Sequence, residues 1–327
     1  MNTVRACGSF AMAATCRLLV ITVFVFGGWD NAWAQLVPGT GQRVEGASDD
    51  FEDPKWEFIH NFPKSSRNLD TQERLPLGNS RNELWYESAK RGQPDVIARV
   101  TTPKGGLPDS KGALLLRSLH TGVPRIPSTD SQQDDLLVDV SLAIDGYIPT
   151  SWLPSVVVRV YLPPFKEWEN ATDTSFGFRT QVVGSAWTKR HRKRFSLARK
   201  RTKMETYWPG MFIQFNSKDQ PEHDADSAVF IIRADELGRD VLGPVITQTG
   251  WWTLGMSFTS DGRVHYYASP GIDDLTSKDH IMSFLPYDSP AEQFDSYFFN
   301  VCNQNDGKQW STNWVIDDPS VYWTPRE

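Results

Sequence analysis

From Asp50 onward the chain repeats one local pattern: a short run of β-branched and aromatic residues closed on each side by Gly, Pro, Asn or Asp. Such runs cover Val96–Thr102, Ala113–Ser118, Leu136–Ile144, Val156–Leu162, Ser175–Val183 and Met211–Asn216. They continue at Ala228–Ala234, Trp251–Phe258, Arg263–Ser269, Ser296–Val301 and Trp314–Trp323. Beta-branched and aromatic side chains suit a pleated, half-buried surface. No long stretch carries the 3.6-residue apolar repeat that an amphipathic helix needs. Many strands and almost no helix predict an all-β sandwich or barrel. Ser260-Asp261-Gly262 between two runs predicts a hairpin, since Asp-Gly readily adopts the positive φ of a tight turn.

The N-terminus has a different character. Arg5 and Arg17 precede the apolar run 18–27, and Ala32-Trp33-Ala34 leads to Gln35. A basic start, a short apolar run and small residues at alternate positions predict a secretory signal over 1–34, cleaved after Ala34. The apolar run is shorter than the roughly 20 residues of a membrane span. The expected location is therefore secreted or periplasmic, with no membrane span in the mature protein. Residues 35–49 read as a flexible lead, and 50–327 as one domain. Cys7 and Cys16 leave with the signal, so Cys302 has no partner for an internal disulfide.

Charge is unevenly placed. The whole chain stands at −6. Yet Lys189, Arg190, Arg192, Lys193, Arg194, Arg199, Lys200, Arg201 and Lys203 crowd one stretch without an acid. This basic insertion near 187–205 predicts contact with an anion, against the plainer reading of a solvated loop or two twisted hairpin edges. No aromatic-interleaved nucleic-acid motif accompanies it, so the expected partner is an extracellular polysaccharide or another anionic surface, not nucleic acid.

Trp251-Trp252-Thr253-Leu254-Gly255-Met256-Ser257-Phe258 followed by Asp261-Gly262-Arg263-Val264-His265-Tyr266-Tyr267 resembles a central hairpin of the concanavalin A-like lectin/glucanase superfamily. Asp49-Asp50-Phe51-Glu52 and Asn313-Trp314-Val315-Ile316-Asp317-Asp318-Pro319-Ser320-Val321-Tyr322-Trp323 are similar to its first and last strands, which pair. Ser110-Lys111-Gly112-Ala113-Leu114-Leu115-Leu116 fits an early strand. The resemblance implies a jelly-roll sandwich of two antiparallel sheets and leaves the activity open. It also implies a structural calcium site where the terminal strands meet, with Asp50, Glu52, Asp317 and Asp318 as candidate ligands and Asp49 beside them.

Period-two alternation separates core from off-core residues on each strand. It leaves Arg159, Arg179, Arg233, Gln181, Gln214, Trp251, His265, Tyr161 and Tyr267 off the core. On one sheet these would make a concave sugar-binding face, with Trp251, Tyr267 and His265 stacking or hydrogen-bonding and the arginines meeting acid groups. Alternation does not say which strands are neighbours, so an ordinary polar face stays open. Jelly-roll polysaccharide lyases use Arg, an amide, His and Tyr, which would be Arg179, Gln214, His265 and Tyr267. No contiguous lyase motif is present, and the glucanase string Glu-x-Asp-x-x-Glu is absent. The expected role is recognition of an extracellular, anionic polysaccharide. A lyase or hydrolase on the same groove, or an adhesive surface module, are the alternatives.

Overall fold

The computed structural model describes residues 36–123, 126, 132–187, 202–233, 235 and 237–325. In chain order the strands are β1 (Gln42–Arg43), β2 (Phe58–Ile59), β3 (Asn79–Ser80), β4 (Trp85–Glu87), β5 (Val96–Thr101), β6 (Gly112–Arg117) and β7 (Asp134–Asp139). Next come β8 (Ile148–Pro149), β9 (Ser155–Leu162), β10 (Ser175–Trp187), β11 (Thr202–Tyr207), β12 (Gly210–Asn216) and β13 (Ser227–Arg233). The last are β14 (Val241–Ile246), β15 (Gly250–Phe258), β16 (Val264–Pro270), β17 (His280–Phe284), β18 (Ala291–Cys302) and β19 (Trp314–Trp323).

Two antiparallel sheets form. The first runs β17-β16-β15-β9-β19-β6-β5, with β1 on β19. The second runs β14-β13-β12-β10-β18-β7-β4-β3-β2, with β11 on β10 and β8 on β18. Alternate residues from both sheets interdigitate in one core: Val156, Val158, Val160, Leu254, Met256 and Phe258 meet Phe176, Phe178, Met211, Ile213, Phe215 and Phe299. This is the jelly-roll sandwich that the strand pattern and the resemblance imply. β15 and β16 pair across the Asp261-Gly262 turn as expected, with Phe258 opposite Val264.

Several details depart from the sequence reading. The run expected at Leu136–Ile144 stops as a strand at Asp139, whose carboxylate accepts Leu142 N at 2.9 Å and caps the four-residue helix Val140–Ala143. No expected run covers β1 to β4, β8, β11, β14 or β17; all are short, and β14 and β17 are sheet edges. The lead expected to be flexible is packed from Leu36 onward. Leu36 O accepts Ser257 Oγ at 2.6 Å and Tyr267 Oη at 3.3 Å, Gly39 N donates to Ser155 Oγ, and Gln42–Arg43 pairs with Trp323 and Tyr322.

The segment between β2 and β5 contains little regular structure and is held by buried charge. Lys64, wholly buried, donates to Asp134 Oδ2 at 2.5 Å and His120 O at 2.6 Å, and Asp95 Oδ1 lies at 3.0 Å. Glu87 accepts Ser65 N at 2.7 Å and Gly78 N at 3.0 Å. These bonds fix the loop that follows β4 against β7, and that loop carries Lys90 and Arg91 to the outer face of the second sheet.

Candidate functional site

The sequence-predicted site residues fall on opposite outer faces of the sandwich. Arg159, Trp251, His265 and Tyr267 belong to the first sheet; Arg179, Gln214 and Arg233 belong to the second. They do not make one groove. The lyase-like set is divided in the same way, with His265 and Tyr267 separated by the core from Arg179 and Gln214.

On the first sheet the face is covered. Trp251 is 6% exposed, packed with Ala113, Val315, Tyr161 and Ile272, and its Nε1 donates to Pro103 O at 3.2 Å. Tyr267 is 0% exposed beneath Val37 and Leu275. Arg159 is 6% exposed and pairs with Asp274 at 2.8 Å and Asp318 at 3.3 Å. His265, 8% exposed, lies between Thr259 Oγ1 at 2.9 Å and Ser283 Oγ at 2.7 Å. Burial, then the nearby His280, pushes its imidazole down to about 4. The alternation placed these residues off the core correctly. What it could not reveal is that the lead and the 271–276 loop fold over them.

The candidate calcium ligands are engaged elsewhere. Glu52 Oε1 accepts Lys111 N at 2.8 Å and Gly112 N at 3.0 Å, Asp317 Oδ2 accepts Ser110 Oγ at 2.8 Å, and Asp318 faces Arg159. Asp50 Oδ1 accepts Glu52 N at 3.0 Å. Among the described residues, no group of three or more His, Cys, Asp or Glu side chains is arranged to hold a metal ion. Lys189, Arg190, Arg192, Lys193, Arg194, Arg199, Lys200 and Arg201 lie outside the described residues, as do residues 1–34, where a signal is expected. Lys203 is exposed on β11, 3.7 Å from Glu205.

The outer face of the second sheet is open and forms a cleft of about 810 Å³. Its floor comes from β10, β18 and β7, where Arg179, Phe298 and Leu137 stand in register, as do Gln181, Ser296 and Asp139. Arg179 is 7% exposed at the centre. Its guanidinium lies over the rings of Phe212 and Phe298, at 5.4 and 5.3 Å, and Nη2 donates to Trp208 O at 2.6 Å. Nε is buried and, among the described residues, has no hydrogen-bond partner. Burial lowers the guanidinium to about 10, so it remains charged at neutral pH.

The walls are basic and aromatic. Lys90 Nζ stands 4.1 Å over the Trp208 ring, and Trp208 Nε1 donates to Gln181 Oε1 at 2.9 Å. Gln181 in turn donates to Asp295. Tyr287, 38% exposed, stacks on Tyr207 and holds φ 58°, a left-handed conformation that is costly for a residue with a side chain. Arg233 is paired with Asp240 at 2.6 and 2.8 Å and lies over Phe212, so its charge is already balanced. Gln214 is bound to Asp173 at 3.0 Å on the same sheet. Of the expected residues, Arg179, Gln181 and Arg233 line this cleft. Lys90, Arg91, Trp208 and Tyr287 were missed because they sit on loops, where alternation gives no signal; the adjacent basic pair Lys90-Arg91 was the available clue.

No family model matches the sequence, and no curated protein matches it. Similar solved structures include a carbohydrate esterase from the Shiga toxin-encoding bacteriophage phi24B, at 12% identity over 74% of this chain and 91% of that one, TM-score 0.40. Alginate lyase A1-II', of polysaccharide lyase family 7, is 11% identical over 69% and 86%, TM-score 0.34. The exoplasmic/lumenal domain of VIP36, in its Ca2+/Man3GlcNAc-bound form, is 9% identical over 88% and 92%, TM-score 0.37. Likenesses this distant carry nothing about what this chain binds.

Proposed function

We propose that the protein recognises an anionic polysaccharide in the cleft of the second sheet, outside the cytoplasm after loss of residues 1–34. The observation that carries this is Arg179. A guanidinium taken out of water without an ion pair costs several kcal/mol. Among the described residues Arg179 has no ion-pair partner and no acceptor for its Nε hydrogen, and its guanidinium lies over two rings. A carboxylate or sulfate on a sugar would supply a direct ion pair and the acceptor that Nε lacks. Lys90 and Arg91 on the rim add attraction over a longer range. Trp208, Tyr287 and Tyr86 line the cleft and supply aromatic surface for sugar C–H groups.

Cleavage of the bound polymer is a second reading of the same cleft. It is favoured by Tyr287, an exposed tyrosine that lines the cleft beside Arg179. His265 and Tyr267 have no part in it.

The test is affinity electrophoresis of the protein through gels containing neutral, uronic-acid or sulfated polysaccharide, each at low and moderate salt. Retardation by an acidic polymer that survives salt and is lost in Trp208→Ala supports the cleft. Equal retardation of wild type and Trp208→Ala, vanishing with salt, would leave only the basic insertion as the binding element. Time-dependent release of oligosaccharides would add cleavage to binding.

A further inference from the structure

We propose that Asp135 is a proton-operated counter-charge of the cleft, so that anions bind more tightly once its carboxylate is neutralised. This rests on the anion-binding reading above.

Asp135 lies on β7 opposite Asn300 of β18, in the row beside that of Arg179. The Asn300 side chain fills the space above Gly177, where a Cβ would stand 2.5 Å from its Oδ1. Asp135 Oδ1 accepts Asn300 Nδ2 at 2.6 Å and Gln133 Nε2 at 3.1 Å. Among the described residues no cation is ion-paired to it.

The charged groups facing Asp135 are few. Arg91 and Lys90 come from the loop after β4, and Arg179 comes from β10. β18 presents the neutral Asn300. The other acids near the cleft are committed: Asp134 to Lys64, Ser118 and Gly122, Glu87 to backbone N–H groups, Asp139 to its helix cap, Asp240 to Arg233. Asp135 is thus the buried carboxylate that shares the cleft floor with Arg179, which has no ion-pair partner among the described residues. Burial raises its carboxyl to about 6, against the pull of Arg91 and then Arg179.

An arriving anion weakens the hold of those cations on Asp135 and adds a like charge, both of which favour the protonated acid. By linkage, anion affinity then rises as pH falls through the range where Asp135 titrates, and binding takes up a proton. Above that range the carboxylate competes with the ligand for Arg179 and Arg91.

The experiment is calorimetric titration of the whole protein with dextran sulfate, whose sulfate esters do not titrate, at about pH 5 and about pH 7.5 and fixed ionic strength. Two buffers of different ionisation enthalpy report the protons exchanged. The wild type is expected to bind roughly tenfold more tightly at the lower pH, with proton uptake near the midpoint. Asp135→Asn keeps an acceptor oxygen for Asn300 and Gln133, and is expected to bind tightly and equally at both. Equal wild-type affinity at both pH values would overturn the inference while leaving the cleft intact. So would an unchanged pH dependence in Asp135→Asn, which would place the titration on a histidine such as His191. If Asp135→Asn fails to fold, proton uptake by the wild type decides, and its absence counts against Asp135. Binding at neither pH would overturn the anion-binding reading, and this inference with it.

Discussion

Gly210 lies directly opposite Arg179 across β12 and β10, and a Cβ added there would stand 2.4 Å from Arg179 Cγ. It would also lie 2.7 Å from Phe178 O, so backbone as well as side chain would have to move. The missing side chain leaves room for the guanidinium over Phe212 and Phe298.

Gly210→Ala is therefore expected to displace Arg179 and to cost about 1–3 kcal/mol of stability, the usual range for overpacking. Chemical denaturation measures the stability. The more telling readout is affinity for an acidic polysaccharide, which should fall more than it does in a surface variant of equal stability.

Lys64 supports the cleft from behind. Lys64→Met would leave Asp134 buried without its cation, and Asp134 already sits up at about 7 because of burial. Removing one partner of a buried pair costs roughly 3–5 kcal/mol. The loop carrying Lys90 and Arg91 should loosen, seen as faster amide exchange over residues 60–95. Unchanged exchange there would mean that the apolar contacts of β4 hold the loop unaided.

His265 gives a pH signature of stability. Its imidazole is held down to about 4 by burial, whereas an unfolded histidine takes its proton near 6.5. Between those values the unfolded chain binds a proton that the native state refuses. The stabilisation is thus complete above about pH 6.5 and is lost as pH falls toward 4. Thermal unfolding of wild type and His265→Gln should converge as pH falls, since the variant lacks this titration. Polysaccharide binding at neutral pH should be the same in both, because His265 is on the other face of the sandwich.

Much of the architecture was legible in the residues. Alternation in Val156–Leu162 and Trp251–Phe258 separates core from outer face as β9 and β15 do, and Asp261-Gly262 marks the hairpin. Sheet membership was not legible, because β10 meets β18 and β9 meets β19 across more than a hundred residues of chain. That is why Trp251 and Arg179 read alike as off-core yet lie on opposite faces. Nor could alternation reveal coverage: Tyr267 is off the core of the sandwich and still buried, because Leu36 and Val37 fold across it. The cleft walls, Lys90 and Trp208 above all, come from loops whose positions depend on buried contacts such as that of Lys64.

The most direct test of the account is the affinity of wild type, Arg179→Lys and Arg179→Ala for a polyuronate at moderate salt, with folding of each checked by thermal unfolding. The account predicts that Arg179→Ala loses at least about tenfold in affinity, the scale of one charge-assisted hydrogen-bonded contact. Arg179→Lys should recover only part of it, because an ammonium cannot lie between two rings and present a forked donor. A folded Arg179→Ala that bound the polymer as tightly as wild type would contradict the assignment of the cleft.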